Sequence, residues 1–188
     1  MRRKAFLAVV LLSIALTAQD SSEKKLAPFV PSPNDVVEKM LKVAEVKEGD
    51  TVWDLGCGDG RIVITAAQKF GAKGVGVELD DDLYAKTSAH VKELGLEGKV
   101  KIIHGDLLEQ DLSSATVVTL YLLPLSNEKV RPRLEKFLKK GARVVSHDFE
   151  MAGWKASKTE QMESADYGRE HTIYLYKIGE HLPANNNK

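Results

Sequence analysis

An acid followed by a glycine-rich turn, residues 54–61, is the segment best suited to chemistry. It has the sequence Asp-Leu-Gly-Cys-Gly-Asp-Gly-Arg, and its first two residues end the predicted strand Thr51 to Leu55. Glycines at alternating positions allow positive φ angles and remove side chains, so the backbone can approach a ligand where the next helix begins. The dinucleotide fingerprint G-x-G-x-x-G requires glycine where this chain has Arg61, which weighs against a nicotinamide-dependent oxidoreductase.

Two further acids follow the next two predicted strands. Glu78 closes the segment Gly74 to Leu79, about 20 residues after the turn, where a carboxylate can accept hydrogen bonds from ribose hydroxyls. Asp106 comes directly after Gly105, beyond the predicted strand Val100 to His104. Since ligands bind at the carboxyl edge of an open α/β sheet, the turn and both acids are predicted to form one nucleoside-binding crevice.

The segments around these residues alternate between strand and helix. Ser32, Pro33 and Asp35 are predicted to be the cap, first-turn proline and acidic partner of a helix that ends near Gly49. The other predicted elements are strand Thr51–Leu55, helix Ile62–Phe70, strand Gly74–Leu79, helix Asp81–Leu94, strand Val100–His104, strand Thr116–Leu123, a helix around Arg131–Lys140, strand Arg143–Phe149 and strand His171–Ile178. This alternation predicts an α/β fold with a doubly wound sheet.

Composition and charge narrow the classes of function. The 188 residues, of which 43% are hydrophobic, suit one domain with a full core. The 27 basic and 27 acidic residues cancel, so the whole chain carries no electrostatic footprint for nucleic acid. A single cysteine, Cys57, excludes an intramolecular disulfide, and no Cys/His spacing matches a zinc site, so no metal is predicted. Cys57 is interpreted as a small packed side chain rather than a reactive thiol.

The first 18 residues have the basic, apolar, polar order of an export signal. Arg2 to Lys4 precede an apolar run from Ala5 to Ala18. The run is short for a membrane span, which needs about 20 residues, so a cleaved signal and an uncleaved anchor both remain open. The protein is therefore predicted to be exported, to the periplasm or the extracellular space, or anchored in a membrane through residues 1–18. The predicted boundaries are 1–18 for this segment, 19–31 for a linker and lid, 32–180 for the main domain and 181–188 for a polar tail.

Together, the turn, Glu78 and the Gly105-Asp106 pair resemble the first three motifs of class I S-adenosylmethionine-dependent methyltransferases. The resemblance covers residues 51–107 and implies S-adenosylmethionine as cofactor. It also implies a Rossmann-like, mostly parallel seven-stranded sheet that has helices on both faces and ends in an antiparallel hairpin. By this resemblance Asp54 and the loop from Gly56 to Gly60 hold the methionine end, Glu78 binds the ribose, and Asp106 with the Leu107 backbone contacts adenine. The predicted cofactor-binding residues are Phe29, Asp54, Gly56, Gly58, Gly60, Glu78, Asp106 and Leu107.

A second, shorter resemblance is to small membrane-associated protein-lysine methyltransferases. It is carried by Phe29-Val30-Pro31-Ser32 before the first helix and by Gly-Asp-Gly-Arg-Ile-Val after the first strand. The resemblance implies that residues 29–32 fold over the cofactor and that the acceptor is a lysine of a membrane-associated protein. A small-molecule acceptor, or a nucleoside-binding protein without catalysis, are the alternatives.

The acceptor side of the crevice is predicted at the ends of the fourth and fifth strands. Tyr121 is interpreted either as a residue that flanks the acceptor or as part of the sheet core. His147 and Asp148 are consecutive in an extended segment, so only one of them is expected to face the crevice. Asp148 is the candidate that helps remove the proton from an acceptor amine. The sequence N/D-P-P-Y/F, which enzymes that methylate planar amide or nucleobase nitrogens use after the fourth strand, is absent, and this weighs against such an acceptor. No role is predicted for Arg169.

Overall fold

The computed structural model describes residues 26–183. The predicted export segment, residues 1–18, lies outside the described residues. No helix within the described range is long and apolar enough to cross a membrane. The helices and strands are α1 (Asn34–Val43), β1 (Thr51–Leu55), α2 (Arg61–Phe70), β2 (Lys73–Glu78), α3 (Asp81–Glu93), β3 (Val100–His104), a 3-10 helix (Leu107–Glu109), β4 (Val117–Leu120), α4 (Pro124–Phe137), β5 (Arg143–His147), β6 (Lys158–Glu163) and β7 (Glu170–Lys177).

The strands form one seven-stranded sheet in the order β3-β2-β1-β4-β5-β7-β6. The first five strands in this order pair in parallel, whereas β7 is antiparallel to both β5 and β6. Strand order reverses at β1, between β2 and β4, and such a switch point opens a crevice at the carboxyl ends of the strands. The predicted Rossmann-like, mostly parallel sheet with a final antiparallel hairpin is confirmed.

Both faces of the sheet are buried, because successive side chains of each strand point to opposite sides. Val52 of β1 packs into a cluster with apolar residues of α1 and α2. Its neighbour Trp53 packs on the other face with apolar residues of α4. The central strands are therefore apolar along most of their length. Polar side chains occur at their carboxyl ends, where the nucleoside-binding crevice is predicted.

Two boundaries after the fourth strand differ from the sequence prediction, and one strand was not predicted. The strand predicted to reach Leu123 ends at Leu120, and the next helix begins at Pro124 rather than near Arg131. Proline is tolerated in the first turn of a helix, where its missing N–H has no intrahelical partner, so Pro124 starts a helix. The edge strand β6 was not predicted, because its sequence, Lys-Thr-Glu-Gln-Met-Glu, lacks apolar alternation and much of it is exposed.

The predicted cap of the first helix is wrong. Helix α1 begins at Asn34, and the Pro33 that precedes it makes no side-chain cap hydrogen bond. The Ser32 hydroxyl instead bonds Nδ1 of His147 at 2.9 Å. Asp35 accepts hydrogen bonds from the Ser164 hydroxyl at 2.9 Å and from a neighbouring amide of the β6–β7 turn. Tertiary partners have displaced the local capping arrangement that the sequence favours. The helix also ends at Val43 rather than near Gly49.

Candidate active site

A crevice that is open to solvent lies at the carboxyl edge of the parallel strands. Its walls come from residues 26–32, the glycine-rich turn and the ends of β2, β3 and β4. Six of the predicted cofactor residues line it, and Tyr121 does as well: Phe29, Asp54, Gly56, Glu78, Asp106 and Leu107.

The other two predicted residues, Gly58 and Gly60, are not among the residues that line the crevice, but they shape the glycine-rich turn. A Cβ atom on Gly58 would lie 2.3 Å from the Phe29 ring, and one on Gly60 would lie 2.6 Å from Cγ2 of Thr87. Both glycines also have positive φ angles, 54° and 74°, which side-chain-bearing residues rarely adopt. Any larger residue at these positions would push the turn away from Phe29 and α3.

Glu78 is held rigidly by backbone donors. Its Oε2 accepts a hydrogen bond from the Gly58 amide at 2.8 Å, and its Oε1 accepts bonds from the amides of Leu79 and Asp80 at 2.9 Å each. A carboxylate offers about four acceptor positions, so these three bonds leave capacity for one further donor. The residue faces the crevice, where a ribose hydroxyl can supply that donor.

Asp54 is a nearly buried acid at the base of the crevice, with 3% of its surface exposed. Its Oδ1 accepts a hydrogen bond from the Thr119 hydroxyl at 2.8 Å. Burial raises the pKa of Asp54 to about 7, the neighbouring charges of Asp59 and Glu78 contribute in the same direction, and the Thr119 bond only partly offsets the rise. A buried acid of this kind is stabilised in its charged form by a cationic ligand. The sulfonium and amino groups of S-adenosylmethionine are such cations, so the crevice fits that cofactor.

Residues 26–32 line the crevice and are held by hydrogen bonds at both ends. The Ser126 hydroxyl donates a hydrogen bond to the Leu26 carbonyl at the start of α4. Arg61 donates to the Ser32 carbonyl at 2.7 Å and also pairs with Asp59 at 2.6 Å. Asp59 lines the crevice and also accepts a hydrogen bond from the Arg61 amide at 3.2 Å. The arginine that replaces a fingerprint glycine therefore ties residues 26–32 to the glycine-rich turn.

Asp106 and Cys57 are both engaged in local structure. The Asp106 carboxylate accepts the amide of Leu108 at 2.8 Å and so caps the 3-10 helix, while the residue still lines the crevice. The Cys57 side chain is buried against Gly76 of β2, where a Cβ atom would lie 2.6 Å from the sulfur. Burial raises the pKa of the thiol, so it stays protonated, and its interpretation as a packed side chain is confirmed.

A second group of polar side chains lies beside Tyr121 at the ends of β4, β5 and β7. The Tyr121 ring lies against the His147 ring with a centroid separation of 3.9 Å. Its hydroxyl is 3.5 Å from Oδ2 of Asp148 and 3.3 Å from the Arg169 guanidinium. Arg169 in turn donates to the same Asp148 oxygen at 2.8 Å. Tyr121 therefore connects the cofactor crevice to an ionic pair, and the sheet-core interpretation of this residue is not supported.

His147 and Asp148 contact the same partner, His171, and neither is among the described residues that line the crevice. Nε2 of His147 lies 2.8 Å from Nδ1 of His171, and Oδ2 of Asp148 lies 3.1 Å from the same nitrogen. The alternation of an extended strand fails here because Asp148 has a φ angle of 59°. Its Oδ1 accepts the Thr172 amide of β7 at 3.0 Å, which holds this conformation.

The charges of this group are fixed by burial and hydrogen bonds. Burial lowers the pKa of His147 to about 4, so its ring is neutral at physiological pH. Burial disfavours the ionised form of Asp148, but the Thr172 amide and the two histidines outweigh it and hold the pKa below its usual value. Burial also raises the pKa of Tyr121. At neutral pH the group therefore presents an ionised carboxylate beside a neutral phenol.

The same group bears on the prediction that no metal is present. Among the described residues, the ligand atoms of His147, Asp148 and His171 lie within 4.8 Å of one another. Hydrogen bonds account for these separations, and the Arg169 cation already occupies the Asp148 oxygen that would bind an ion. The absence of a metal stays a prediction.

Several residues of the site were not predicted because their partners are distant in the chain. Thr119 is the one polar residue inside an apolar strand, a signal that marks it in retrospect as the partner of Asp54. Ser32 and His147 are separated by 115 residues, and Asp148 and Arg169 by 21. No local pattern connects either pair.

Comparisons with known proteins agree with this geometry. The chain is 49% identical over 155 residues to a protein-lysine N-methyltransferase of Saccharolobus islandicus, covering 82% of this chain and 95% of that protein. It is 32% identical to the adenine nucleotide translocase lysine N-methyltransferase of Mus musculus, covering 68% of this chain but 55% of the mouse protein. A solved structure of an RNA methyltransferase from Salinibacter ruber, in complex with S-adenosyl-L-homocysteine, has 47% identity and a TM-score of 0.76, covering 85% of this chain and all of that one.

The family of this chain is shown by a family model that matches the residues of the crevice. The ANTKMT methyltransferase domain family matches residues 54–158, from the acid of the glycine-rich turn to the start of β6. Together with the relatives above, this match establishes S-adenosylmethionine as the cofactor. The chain therefore belongs to the ANTKMT methyltransferase domain family and is a class I S-adenosylmethionine-dependent methyltransferase.

Proposed function

We propose that this protein transfers the methyl group of S-adenosylmethionine to the side-chain amine of a protein lysine. The observation that carries the proposal is the ionised Asp148 beside Tyr121, at the edge of the cofactor crevice. A carboxylate attracts an ammonium group, and an aromatic ring can stack on its stem. A lysine acceptor would place its ammonium group beside the carboxylate and its aliphatic stem against the ring.

We propose that Asp54, Glu78 and Asp106 each bind a different part of the cofactor. Asp54 faces the cationic methionine end, because its raised pKa marks a buried acid that a cation would stabilise. Glu78 accepts a hydrogen bond from a ribose hydroxyl with its remaining lone pair. Asp106 and Leu107 follow β3 and form the wall for adenine, and Phe29 covers the cofactor from residues 26–32.

The cofactor supplies an electrophilic methyl group on a sulfonium, which becomes a neutral thioether when the methyl leaves. The protein has to align the acceptor nitrogen, exclude water and provide the amine in its neutral form. With an unperturbed pKa near 10.4, only about one lysine in a few thousand is neutral at pH 7. Desolvation against the Tyr121 ring favours loss of the ammonium proton to solvent. Because its pKa is low, Asp148 serves better to bind and orient the ammonium than to accept its proton.

The relatives support a lysine acceptor unevenly. Those from Saccharolobus islandicus and mouse are named as lysine N-methyltransferases, whereas the Salinibacter ruber structure is described as an RNA methyltransferase. The balanced charge of this chain, 27 basic and 27 acidic residues, offers no surplus for a phosphate backbone.

The test is a direct competition between acceptor classes. The purified protein is incubated with isotopically labelled S-adenosylmethionine and, in parallel, with membrane proteins, soluble proteins and total RNA. Label on lysine, located by peptide mass spectrometry, is the expected result, and Glu78→Ala serves as a variant with impaired cofactor binding. Label on RNA, or on small metabolites alone, would contradict the lysine proposal while leaving the methyltransferase assignment intact.

We further propose that residues 1–18 bring the protein to a membrane and that its acceptor is a membrane-associated protein. A basic end followed by an apolar run orients with its positive side in the cytoplasm, which places the following domain on the far side. A reporter active only outside the cytoplasm, fused after Lys188, is expected to give a signal. A silent reporter together with recovery of the protein from the soluble cytoplasm would refute the proposal.

A further inference from the structure

We infer that Arg169 occupies the place of the acceptor cation, and that an incoming lysine displaces it. This inference rests on the proposed lysine acceptor. It assigns to Arg169 a role in substrate specificity that neither the glycine-rich turn nor the cofactor residues explain. Arg169 precedes β7, in the turn after β6, and its guanidinium reaches back over the crevice edge to the end of β4.

The contacts of Arg169 are those that a substrate ammonium would make. Its Nη2 lies 2.8 Å from Oδ2 of Asp148 and 3.3 Å from the Tyr121 hydroxyl. These are the carboxylate and the aromatic residue proposed to receive the acceptor. His147 is no substitute for a cation, because it is buried and neutral. Arg169 therefore compensates the charge of Asp148 while the site lacks an acceptor.

The Arg169 side chain can also move away from Asp148, because most of it is exposed to solvent. Its side chain is 61% exposed, whereas Asp148 is 16% exposed and is held by the Thr172 amide. An exposed arginine can swing into solvent at little cost, and the acid remains in place to bind another cation. Two cations cannot share Oδ2 of Asp148 without repulsion, so lysine and Arg169 bind alternately. A neutral acceptor would gain nothing from displacing the guanidinium, and this exchange therefore favours cationic acceptors.

Removal of the Arg169 charge tests the exchange. In Arg169→Met the aliphatic stem is kept and the competing cation is lost, so KM for a lysine-containing acceptor is expected to fall roughly two- to fivefold, the range for releasing an exposed ion pair. The matched control is Arg131→Met, because Arg131 bonds the Ala152 carbonyl away from the crevice and its loss removes the same charge. An unchanged or higher KM in Arg169→Met, with lysine methylation intact in the unmodified protein, would overturn the inference.

A second variant places an amine at the proposed site. In Arg169→Lys the new side chain can reach Asp148 and Tyr121, so self-methylation at position 169 is expected in the presence of labelled S-adenosylmethionine. Arg131→Lys is the control and is expected to stay unlabelled. Label at both positions or at neither would count against a specific acceptor site at Arg169. Failure of the unmodified protein to methylate any lysine would instead refute the proposed function, so the two failures are distinguishable.

Discussion

Replacing Asp54 by asparagine is expected to stabilise the cofactor-free protein at alkaline pH. The carboxyl group is nearly buried and its pKa rises from 3.8 to about 7 on folding, mainly because burial disfavours the charged form. At about 1.4 kcal/mol per pKa unit, this corresponds to on the order of 4 kcal/mol of destabilisation once the group is ionised in both states. The asparagine side chain is similar in shape and remains neutral, so the variant avoids this penalty.

The sign of the pH dependence follows from the direction of the shift. The folded state binds the Asp54 proton more tightly than the unfolded state, so the penalty grows as pH rises from 3.8 to about 7 and is constant above that range. Unfolding by urea is expected to show the advantage of Asp54→Asn at pH 8 shrinking by roughly 2 to 3 kcal/mol at pH 5. Calorimetry is expected to show weaker S-adenosylmethionine binding by the variant at pH 8, because the anion facing the methionine end is lost.

Asp50→Asn provides a control of opposite sign. Burial disfavours the charge of Asp50 as well, but hydrogen bonds from Thr116 and Arg143 outweigh burial and lower its pKa. Its stabilising charge is lost only as pH falls below the unfolded pKa of 3.8, so this variant is expected to be destabilised about equally at pH 8 and pH 5. If Asp54→Asn were no more stable than the unmodified protein at pH 8, or its effect were the same at both pH values, the assignment of a raised pKa to Asp54 would be refuted.

Further substitutions test the other parts of the site. Glu78→Ala should weaken S-adenosylmethionine binding by about 1 to 3 kcal/mol, the cost of leaving ribose hydroxyls unpaired, and unchanged affinity in calorimetry would remove Glu78 from the site. Tyr121→Ala should lower turnover by one to a few orders of magnitude with cofactor affinity little changed, and a loss confined to cofactor affinity would argue against an acceptor role. Ser32→Ala leaves Nδ1 of buried His147 without its partner and should cost about 1 to 3 kcal/mol in unfolding free energy, measured in urea. Metal analysis of the purified protein should find no stoichiometric zinc, and zinc that disappears in His171→Ala would contradict this.

Much of the cofactor side could be predicted because its determinants are local. Strand β3 spans Val100–His104 as predicted, and α2 ends at Phe70, directly before Gly71, which has the positive φ angle that the sequence indicates. Glu78 and Asp106 each follow a strand of the parallel sheet, and parallel strands bring their carboxyl ends to one edge. Glycine positions, strand ends and the order of elements therefore sufficed to bring together most of the residues that line the crevice.

The acceptor side depends on tertiary structure. Whether His147 and Asp148 point the same way depends on the backbone of Asp148, whose φ angle of 59° is held by an amide of β7. That contact exists only because β7 inserts beside β5, and the insertion in turn requires β6, a polar edge strand without a periodic signal. The Ser32 hydroxyl likewise bonds His147 rather than the helix beside it.

The cofactor side could be predicted and the acceptor side could not, and this difference has one physical reason. Turn residues and apolar periodicity depend on residues a few positions apart, so they can be recognised in the sequence. The fold and the nucleoside site could therefore be predicted from the sequence alone. Contacts such as those of Arg169 with Asp148 and Tyr121 join side chains 21 and 48 residues apart. Their energies are realised only after the sheet has assembled, and only the folded structure decides which polar groups meet at the acceptor site.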